Sequence, residues 1–582
     1  MPAGARWLIP DFEPTQAETL RRALGMEAPA AQVLIRRGFA DPECARQFLE
    51  PSLAALHDPR LLRDMPRALD RLLAAVRGRE RVLVYGDYDV DGTTSTVILS
   101  KAIEMAGGVA DWHVPHRLRE GYGMRAEVVE RAAAEGVRLI VSVDTGIRAA
   151  PVVARANELG IDVIVTDHHL PEEALPPALA VLNPNRPDCP YPDKNLCGAG
   201  VAFKLVQALI GSLGWPPDKV RRVTESFLKL VAIATVADVV PLTGENRVIV
   251  KHGLDGLSEV RNPGLRALLD VAGFSGSTVP SARQVAFQIA PRINAAGRMD
   301  TAEAVIEMFL TADQERARAL ARQLHDQNAE RQAVEAGIRE VCEQMTVDPS
   351  AAALVYYAED WHRGVLGIVA SRLVERFHRP VFVLARNPDD GLAQGSGRSI
   401  PAFHLLEALE AMPDLFTRFG GHSHAAGVTL EAARVEEFRR RFHDYAAARL
   451  RPEDLQPCLK LDGSLHFSNI TERSASQLFR LAPFGHGNPP PVFAALDVEV
   501  AGPPAPWNEK HLRVMLRQNG RSLAVKAWNF AARAGELEAG SRVDVAFSIE
   551  EDAYALAKGY PGWAAVLRDV RAAAPAAKSA VA

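Results

Sequence analysis

Residues 81–95 read RVLVYGDYDVDGTTS, and this stretch decides the fold. RVLVY has the composition of a buried strand. Three aspartates follow at alternate positions, Asp87, Asp89 and Asp91, and a helical run, TTSTVILSKAIEMA, begins directly after them. The pattern recurs: VRLIVS from Val137 leads into VDTG, and IDVIV from Ile161 leads into TDHH. A fourth acidic stretch, ADVVPL from Ala237, closes a helical run over Val220–Val236. Strands alternating with helices predict a parallel sheet, and the carboxyl ends of neighbouring strands in such a sheet open onto one crevice. Asp87, Asp89, Asp91, Asp144, Asp167, His168, His169 and Asp238 are therefore expected to meet. So many acids cannot share a site unless cations offset their repulsion. Mixed carboxylate and imidazole donors suit Mn2+ or Mg2+, so the expectation is a hydrolase that works with two ions.

Each residue alone has an ordinary explanation. Asp91 could cap the helix that starts at Thr93, and His168–His169 could be a surface pair or a satisfied core pair. Four motifs together, three of them at strand ends, outweigh this. Asp87, Asp89 and Asp91 with Gly92 copy half of a calcium loop, but the twelfth position, a bidentate Glu in that loop, is Ile98, and a strand rather than a helix precedes it. Asp89-Val-Asp91-Gly-Thr also resembles the aspartate-nucleophile loop of haloacid-dehalogenase-type phosphatases. That family places its nucleophile directly at the strand end, where Gly86, Asp87 and Tyr88 intervene here. It also calls for a later lysine and acidic pair, where this chain has VDTG, TDHH and ADVVPL.

Taken in order, GDYDVDGTTS, VDTG, TDHH and ADVVPL resemble the DHH phosphoesterase superfamily. PRINAAGR from Pro291, WHRGVLGIVASRL from Trp361, GSGRS from Gly395 and GGHSHAAG from Gly420 extend the likeness to its single-strand-specific 5′→3′ exonucleases and their DHH-associated second domain. PFGHGNPPPVF from Pro483 is similar to the stretch leading into the OB-fold of those enzymes. The resemblance implies two Mn2+ or Mg2+ ions held by Asp89, Asp91, Asp144, His168 and Asp238, with Asp87 as a further ligand or supporting acid. It implies that His169 contacts the scissile phosphate, and it groups Asp167 and Asp87 with His169 as catalytic. Many relatives carry a histidine early in the first motif. The acid-only version here leaves the split of ligands between the ions open.

The same resemblance implies single-stranded DNA as substrate, cut 5′→3′ to 5′-mononucleotides in repair and recombination, alongside a helicase and single-strand-binding protein. Arg292, Asn294 and Arg298 could grip the DNA backbone; helix capping and surface ion pairing are the alternative. Glycines in GSGRS and GGHSHAAG would let backbone N–H groups approach phosphate, with Arg398 and Ser396 or Ser399 receiving the 5′ phosphate and His422 and His424 nearby. Tight turns are the alternative there. Arg117, Arg119 and Tyr122 in HRLREGYG are further candidate strand contacts. At the β-rich end, Trp507, Trp528 and Phe530 lie among Lys510, Arg513, Arg517, Arg521 and Lys526, a combination that can stack unpaired bases or merely pack a core. Two other functions compete: a DHH phosphodiesterase for short oligonucleotides or cyclic dinucleotides, and a non-catalytic replication scaffold. The extra C-terminal module argues against the first and the intact acids against the second.

The fold expected is multidomain α/β. An N-terminal helical segment (1–50) precedes a parallel-sheet DHH domain (51–300) and a long connecting helix (301–345). A second α/β, DHH-associated, substrate-binding domain (346–447), a C-terminal β-barrel of OB type (448–570) and a disordered tail (571–582) follow. The 582 residues carry a net charge of −5, too mild to advertise or exclude a nucleic-acid partner, since ligand acids mask local basic surface. Five scattered cysteines without a CxxC argue against zinc ribbons and disulfides. The start MPAGARWLIPDFEP lacks signal-peptide character and no apolar run reaches membrane-spanning length. A cytoplasmic monomer without a membrane anchor is expected.

Overall fold

The structure, a computed structural model, describes residues 4–117, 119–345, 348, 351–388 and 390–573. It forms two compact units. One comprises Glu50–Ala333 with Pro483–Pro489; the other comprises the chain up to Leu49, Val334–Ala482 and the chain from Pro490.

The first unit is built on a five-stranded, all-parallel sheet. Its order is Val109–His113, Arg81–Tyr85, Leu139–Val143, Asp162–Thr166, Ala180–Leu182. Helices cover both faces, so the central strand is buried at every position, the burial that makes parallel strands uniformly apolar. The first and last of these strands escaped the sequence reading; VADWH is only half-buried and AVL is three residues long. Strand order reverses between Arg81–Tyr85 and Leu139–Val143, because the chain goes from the former to one side and then returns to the other. Such a switch point opens a crevice at the carboxyl ends of the two strands, and the acidic motifs begin there. Helices Val90–Met105, Gly198–Gly211 and Pro217–Ala237 supply the largest core of the unit.

The expected 301–345 connector is two helices, Glu303–Leu310 and Gln314–Gln344. Asp313 interrupts it by accepting the amides of Glu315 at 2.8 Å and Arg316 at 3.2 Å, the local bonding that starts a new helix.

In the second unit, strands Leu354–Ala358 and Val381–Arg386 run parallel with helix Leu366–Phe377, as the sequence suggested. GSGRS lies in strand Ala393–Arg398 up to Arg398, and GGHSHAAG spans the hairpin of strands Arg418–Gly421 and Ala425–Leu430 with His422–His424 as its turn, all in one five-stranded sheet. Gly397 is glycine because a Cβ there would lie 2.4 Å from the Phe382 ring.

The C-terminal strands follow the order Gly463–Ser464, Phe493–Val500, Arg542–Glu551, Trp563–Ala572, Arg521–Ala527, Leu512–Gln518, Ala505–Pro506. Glu499 and Val500 also pair with Arg517 and Leu516, which closes the sheet into a barrel and removes its long edges. Asn519 (φ +47°) and Gly520 (φ +80°) make the two-residue hairpin between Gln518 and Arg521, as their left-handed preference dictates. Trp563–Ala572 extends into the expected tail; residues 574–582 lie outside the described residues. The N-terminal segment has three helices, Pro14–Leu24, Ala28–Arg36 and Pro42–Leu49, with Asp41 accepting the amides of Glu43 and Cys44 at 3.0 and 2.9 Å. It also contributes a strand, Arg6–Leu8, that pairs in parallel with Cys458–Lys460.

Candidate metal centre

Local backbone chemistry aims most of the motif side chains. Asp89 is the N-cap of helix Val90–Met105, its Oδ1 accepting the Gly92 amide at 3.0 Å; the capping role weighed for Asp91 thus belongs to its neighbour. Gly92 lets the preceding loop fold back, since a Cβ there would lie 2.6 Å from the Asp87 backbone. Asp91 is buried in the first helical turn. Its two carboxylate oxygens accept the amides of Gly198 at 2.6 Å and Ala199 at 2.8 Å, the positive end of a second helix. Asp144 ends strand Leu139–Val143 with φ +58°, a conformation that Asp tolerates better than most residues. Asp167 is fully buried. Its Oδ2 accepts the Ile147 amide at 3.0 Å, while Oδ1 takes the amides of His168 and His169 at 2.8 and 3.1 Å and sits 2.7 Å from His169 Nδ1. Asp167 therefore orients His169 from below. Asp238 follows directly on helix Pro217–Ala237.

These side chains converge. His168 Nε2 lies 3.3 Å from Asp144 Oδ1 and 3.8 Å from Asp91 Oδ2, and its Nδ1 lies 3.8 Å from Asp238 Oδ2. Donor atoms within 4.8 Å of one another form three groups: Asp91–His168–Asp238, Asp87–Asp89–Asp144 and Asp144–His168–His169. The first two share no residue, which is the donor arrangement two adjacent ions require. Oδ1 of Asp87, Oδ1 of Asp144 and Oδ2 of Asp238 are buried without a hydrogen-bond partner. Buried polar atoms normally have one, and these three fit a hard cation that prefers carboxylate oxygen.

The electrostatics agree. Burial, followed by mutual repulsion, raises the pKa values of the acids: Asp87 through burial and then Asp89, Asp144 through burial and then Asp91, Asp91 through burial. Asp238 is pushed up to about 9 by burial and then by Asp91 and Asp89. Burial opposes charge on Asp167 as well, but the bond and charge of His169 and the surrounding amides outweigh it and hold Asp167 low. Burial likewise works against protonation of His169, and the Asp167 bond overcomes it, so its pKa is raised. His168 is driven down by burial, which keeps it neutral and able to ligate. A divalent charge would reverse the logic for the acids. The donor set fits such a group.

The cleft is lined by Asp87, Asp89, Asp144, His168, His169 and Asp238 together with Tyr88, Arg117, Tyr122, Asn294 and Arg298, while Asp91 and Asp167 lie behind the lining. Arg117 stacks over the Tyr88 ring at 4.9 Å. Tyr122 Oη lies 3.3 Å from His169 Nδ1. Asn294 Oδ1 accepts the Val90 amide at 3.2 Å, leaving its NH2 as a donor. Arg119 and Arg292 are not in the lining. Arg292 ties elements together, donating to His325 Nδ1 at 3.2 Å and to the Val271 carbonyl at 3.3 Å.

In the other unit, Ser396 and Arg398 share a strand face. A Cβ on Gly367, at the start of helix Leu366–Phe377, would sit 3.0 Å from Arg398 Nη2 and 3.4 Å from Ser396 Oγ. Ser399 is turned away, its hydroxyl donating to the Phe403 carbonyl at 2.8 Å. His422 and His424 are exposed. In the barrel, Trp507 and Trp528 lie 4.8 Å apart, with Arg513 over Trp507 at 4.4 Å. Phe530 is buried, with the Arg533 guanidinium over its ring at 5.0 Å.

Sequence reasoning missed Gly198 and Ala199. A Cβ on Gly198 would fall 2.6 Å from Asp144 Cβ, so a glycine is needed where the helix end meets the acids. CGAG before an apolar run was the available signal. Tyr88 was missed too, although its place between two motif aspartates marked it.

Family models match three regions: the DHH family N-terminal domain over residues 81–235, the DHHA1 domain over 350–448 and the RecJ OB domain over 461–558. A single-stranded-DNA-specific exonuclease RecJ of Bacillus subtilis strain 168 is 37% identical over 551 residues, covering 93% of this chain and 68% of its own length. The crystal structure of RecJ in complex with Mn2+ from Thermus thermophilus superposes with a TM-score of 0.83 at 34% identity, covering 98% of this chain and 80% of that one. The Mg2+ complex from the same organism gives 0.77 at 32%, with 98% and 78% covered. All four acidic motifs fall in or directly after the first matched region, and the DHHA1 and RecJ OB matches follow it; the chain belongs to the RecJ family.

Proposed function

We infer that this chain is a metal-dependent exonuclease that degrades single-stranded DNA, working 5′→3′ to release 5′-mononucleotides in repair and recombination. The observation that carries this is the trio of buried, unpartnered carboxylate oxygens on Asp87, Asp144 and Asp238, set in a family whose curated relatives are named single-stranded-DNA-specific exonucleases.

Asp89, Asp91, Asp144, His168 and Asp238 are the proposed ligands for two Mn2+ or Mg2+ ions, with Asp87 beside them. When bound, the ions supply an activated water and offset the charge that builds on the phosphoryl oxygens. The chain's own groups do the rest. With Nδ1 engaged by Asp167, His169 is left with Nε2 as the atom that can donate to a phosphoryl or leaving oxygen, and its raised pKa favours the donating form. The guanidinium groups of Arg117 and Arg298 and the Asn294 amide, in the same lining, supply fixed positive charge and donors for a phosphate backbone. Burial of the acids keeps bulk water from screening them.

Arg398 and Ser396 are proposed to receive a 5′ phosphate, and the exposed Trp528 with Trp507, Arg513 and Lys526 to stack unpaired bases. A small-substrate phosphodiesterase would have no use for that barrel surface. No helix among the described residues is long and apolar enough to cross a membrane. A cytoplasmic monomer working with a helicase and single-strand-binding protein completes the proposal.

The test is digestion of 5′-labelled single-stranded DNA with Mn2+, Mg2+ or EDTA. The expected result is release of label as mononucleotide with either ion, none with EDTA, and resistance of substrates blocked at the 5′ end. Equal digestion of 5′-blocked and 3′-blocked strands would overturn the polarity.

A further inference from the structure

Of the three acids with a buried, unpartnered carboxylate oxygen, Asp87, Asp144 and Asp238, Asp238 is the one that follows a helix rather than a strand. Backbone amides fix Asp89, Asp91 and Asp167, whereas Asp238 Oδ2 is buried without a hydrogen-bond partner. Its direction is left to the main chain. On one side that is the end of helix Pro217–Ala237, where the Asp238 amide donates to the Ala234 carbonyl at 2.9 Å. On the other side Val239 has φ +60° and is 64% exposed. A β-branched residue holds that conformation only when its surroundings impose it. Its own exposed side chain cannot be the cause, so the restraint acts on residues 240–243.

It comes from a distant part of the sequence. Residues 483–489, PFGHGNP, pack within the same unit as this turn although the chain on both flanks does not. The His486 carbonyl accepts the Leu242 amide at 2.7 Å. Two glycines let the strap lie flat on the turn. A Cβ on Gly485 would fall 2.6 Å from Leu242 Cδ1, and one on Gly487 (φ +71°) would fall 3.0 Å from Pro241 Cβ and 3.2 Å from its Cα. The strap is itself closed: Gly485 and Asn488 exchange backbone bonds of 2.9 and 3.1 Å, and the buried Asn488 donates through Nδ2 to the Pro483 carbonyl at 2.8 Å. Asn246 grips the turn independently, donating to the Pro241 carbonyl at 3.1 Å.

We propose that Pro483–Pro489 is a positioning strap for the metal centre: by pinning Pro241 and Leu242 it maintains the Val239 bend and so directs Asp238 Oδ2 into the cleft. This rests on Asp238 being a ligand. Gly485 and Gly487 touch no substrate; they act through the main chain of residues 238–242. The strap thereby gives the C-terminal part of the sequence a role in cation affinity that is separate from DNA binding.

The test uses the full chain and Mn2+ alone, titrated calorimetrically and by EPR of free Mn2+, with Gly487→Ala, Gly485→Ala and Asp238→Asn. Gly540→Ala is the control, since Gly540 has φ +82° but no neighbour within 4 Å of a Cβ; it carries the same backbone strain away from the strap. Gly487→Ala is expected to weaken one Mn2+ equivalent about 10–100-fold, the usual effect of losing a group that orients a ligand. Amide exchange at 239–242 accelerates, and kcat falls at limiting Mn2+ and recovers at high Mn2+, with KM for DNA unchanged. Gly540→Ala loses thermal stability only. Gly485→Ala, which meets a flexible leucine, gives the same pattern in smaller measure and serves if Gly487→Ala does not fold. Unchanged Mn2+ affinity in Asp238→Asn overturns the ligand assignment and the strap with it. Weakened binding in Asp238→Asn with wild-type binding in both strap variants overturns the strap alone.

Discussion

The acidic cleft and the glycine-rich sheet were both marked by motifs, yet they use their residues in opposite ways. In the cleft, glycines make room for charged groups: Gly92 for the backbone and Cβ of Asp87, Gly198 for the side chain of Asp144. In the sheet, Gly395 and Gly397 make room for the apolar core, for Leu384 and for the Phe382 ring, and the polar side chains stay half-exposed. The cleft gathers desolvated charge that is costly without a counter-ion; the sheet offers a few donors near water. Loss of a cleft acid should therefore remove chemistry, and loss of a sheet donor should alter only preference.

The largest effect is expected at Asp144. Asp144→Ala should lower kcat on single-stranded DNA by about 10²–10³-fold or more, the scale of removing one stabilising group from a dry site, with DNA binding retained. A small kinetic effect would erase the contrast. Asp167→Asn comes next. It keeps the fold's shape but breaks the bond that orients His169, and a loss of about 10–100-fold is expected, with the alkaline limb of the pH–rate profile shifted to lower pH because the His169 pKa is no longer raised. Arg398→Ala should reduce the preference for 5′-phosphorylated over unphosphorylated ends by about 10-fold or more, from a charge-assisted bond of about 1.5–3 kcal/mol, without changing the chemical step. Equal discrimination by mutant and wild type would remove the sheet from the account.

Stability gives a smaller and subtler signal. Asp238 is raised from 3.8 to about 9, so between those values the folded chain holds a proton that the unfolded chain has lost. Its contribution to metal-free stability is complete below about pH 4 and is lost as pH rises through about 9. Cations bind the ionised carboxylate and release protons. The Tm increment caused by Mn2+ should therefore grow from about pH 6 to about pH 9, measured by thermal denaturation with and without the ion. An increment that shrinks with pH would contradict the assignment of these acids.

The cleft was legible because its elements are local. Each motif sits on a strand or helix end whose apolar run announces it, and a parallel sheet leaves one place for strand ends to meet. Asn519–Gly520 was legible for the same reason: two residues specify that turn. What stayed hidden depends on partners distant in sequence. Ala393–Arg398 has no strand composition; it is a strand because Val381–Arg386 and Ala425–Leu430 flank it. The bonds of Arg292 to His325 and Val271 join residues 33 and 21 positions away in sequence and left no local mark. The break at Asp313 was written in the chain, as a capping residue inside a helical pattern, and was overlooked because the charge pattern continued across it.

The central claim is that acids remote in sequence are assembled to hold a pair of divalent cations. Diffraction from crystals soaked in manganese, recorded at the manganese absorption edge, addresses it directly. The account predicts two anomalous peaks, one within the Asp91–His168–Asp238 group and one within Asp87–Asp89–Asp144, both lost in Asp144→Ala or reduced to one. Ordered carboxylates with no anomalous signal between them would contradict it.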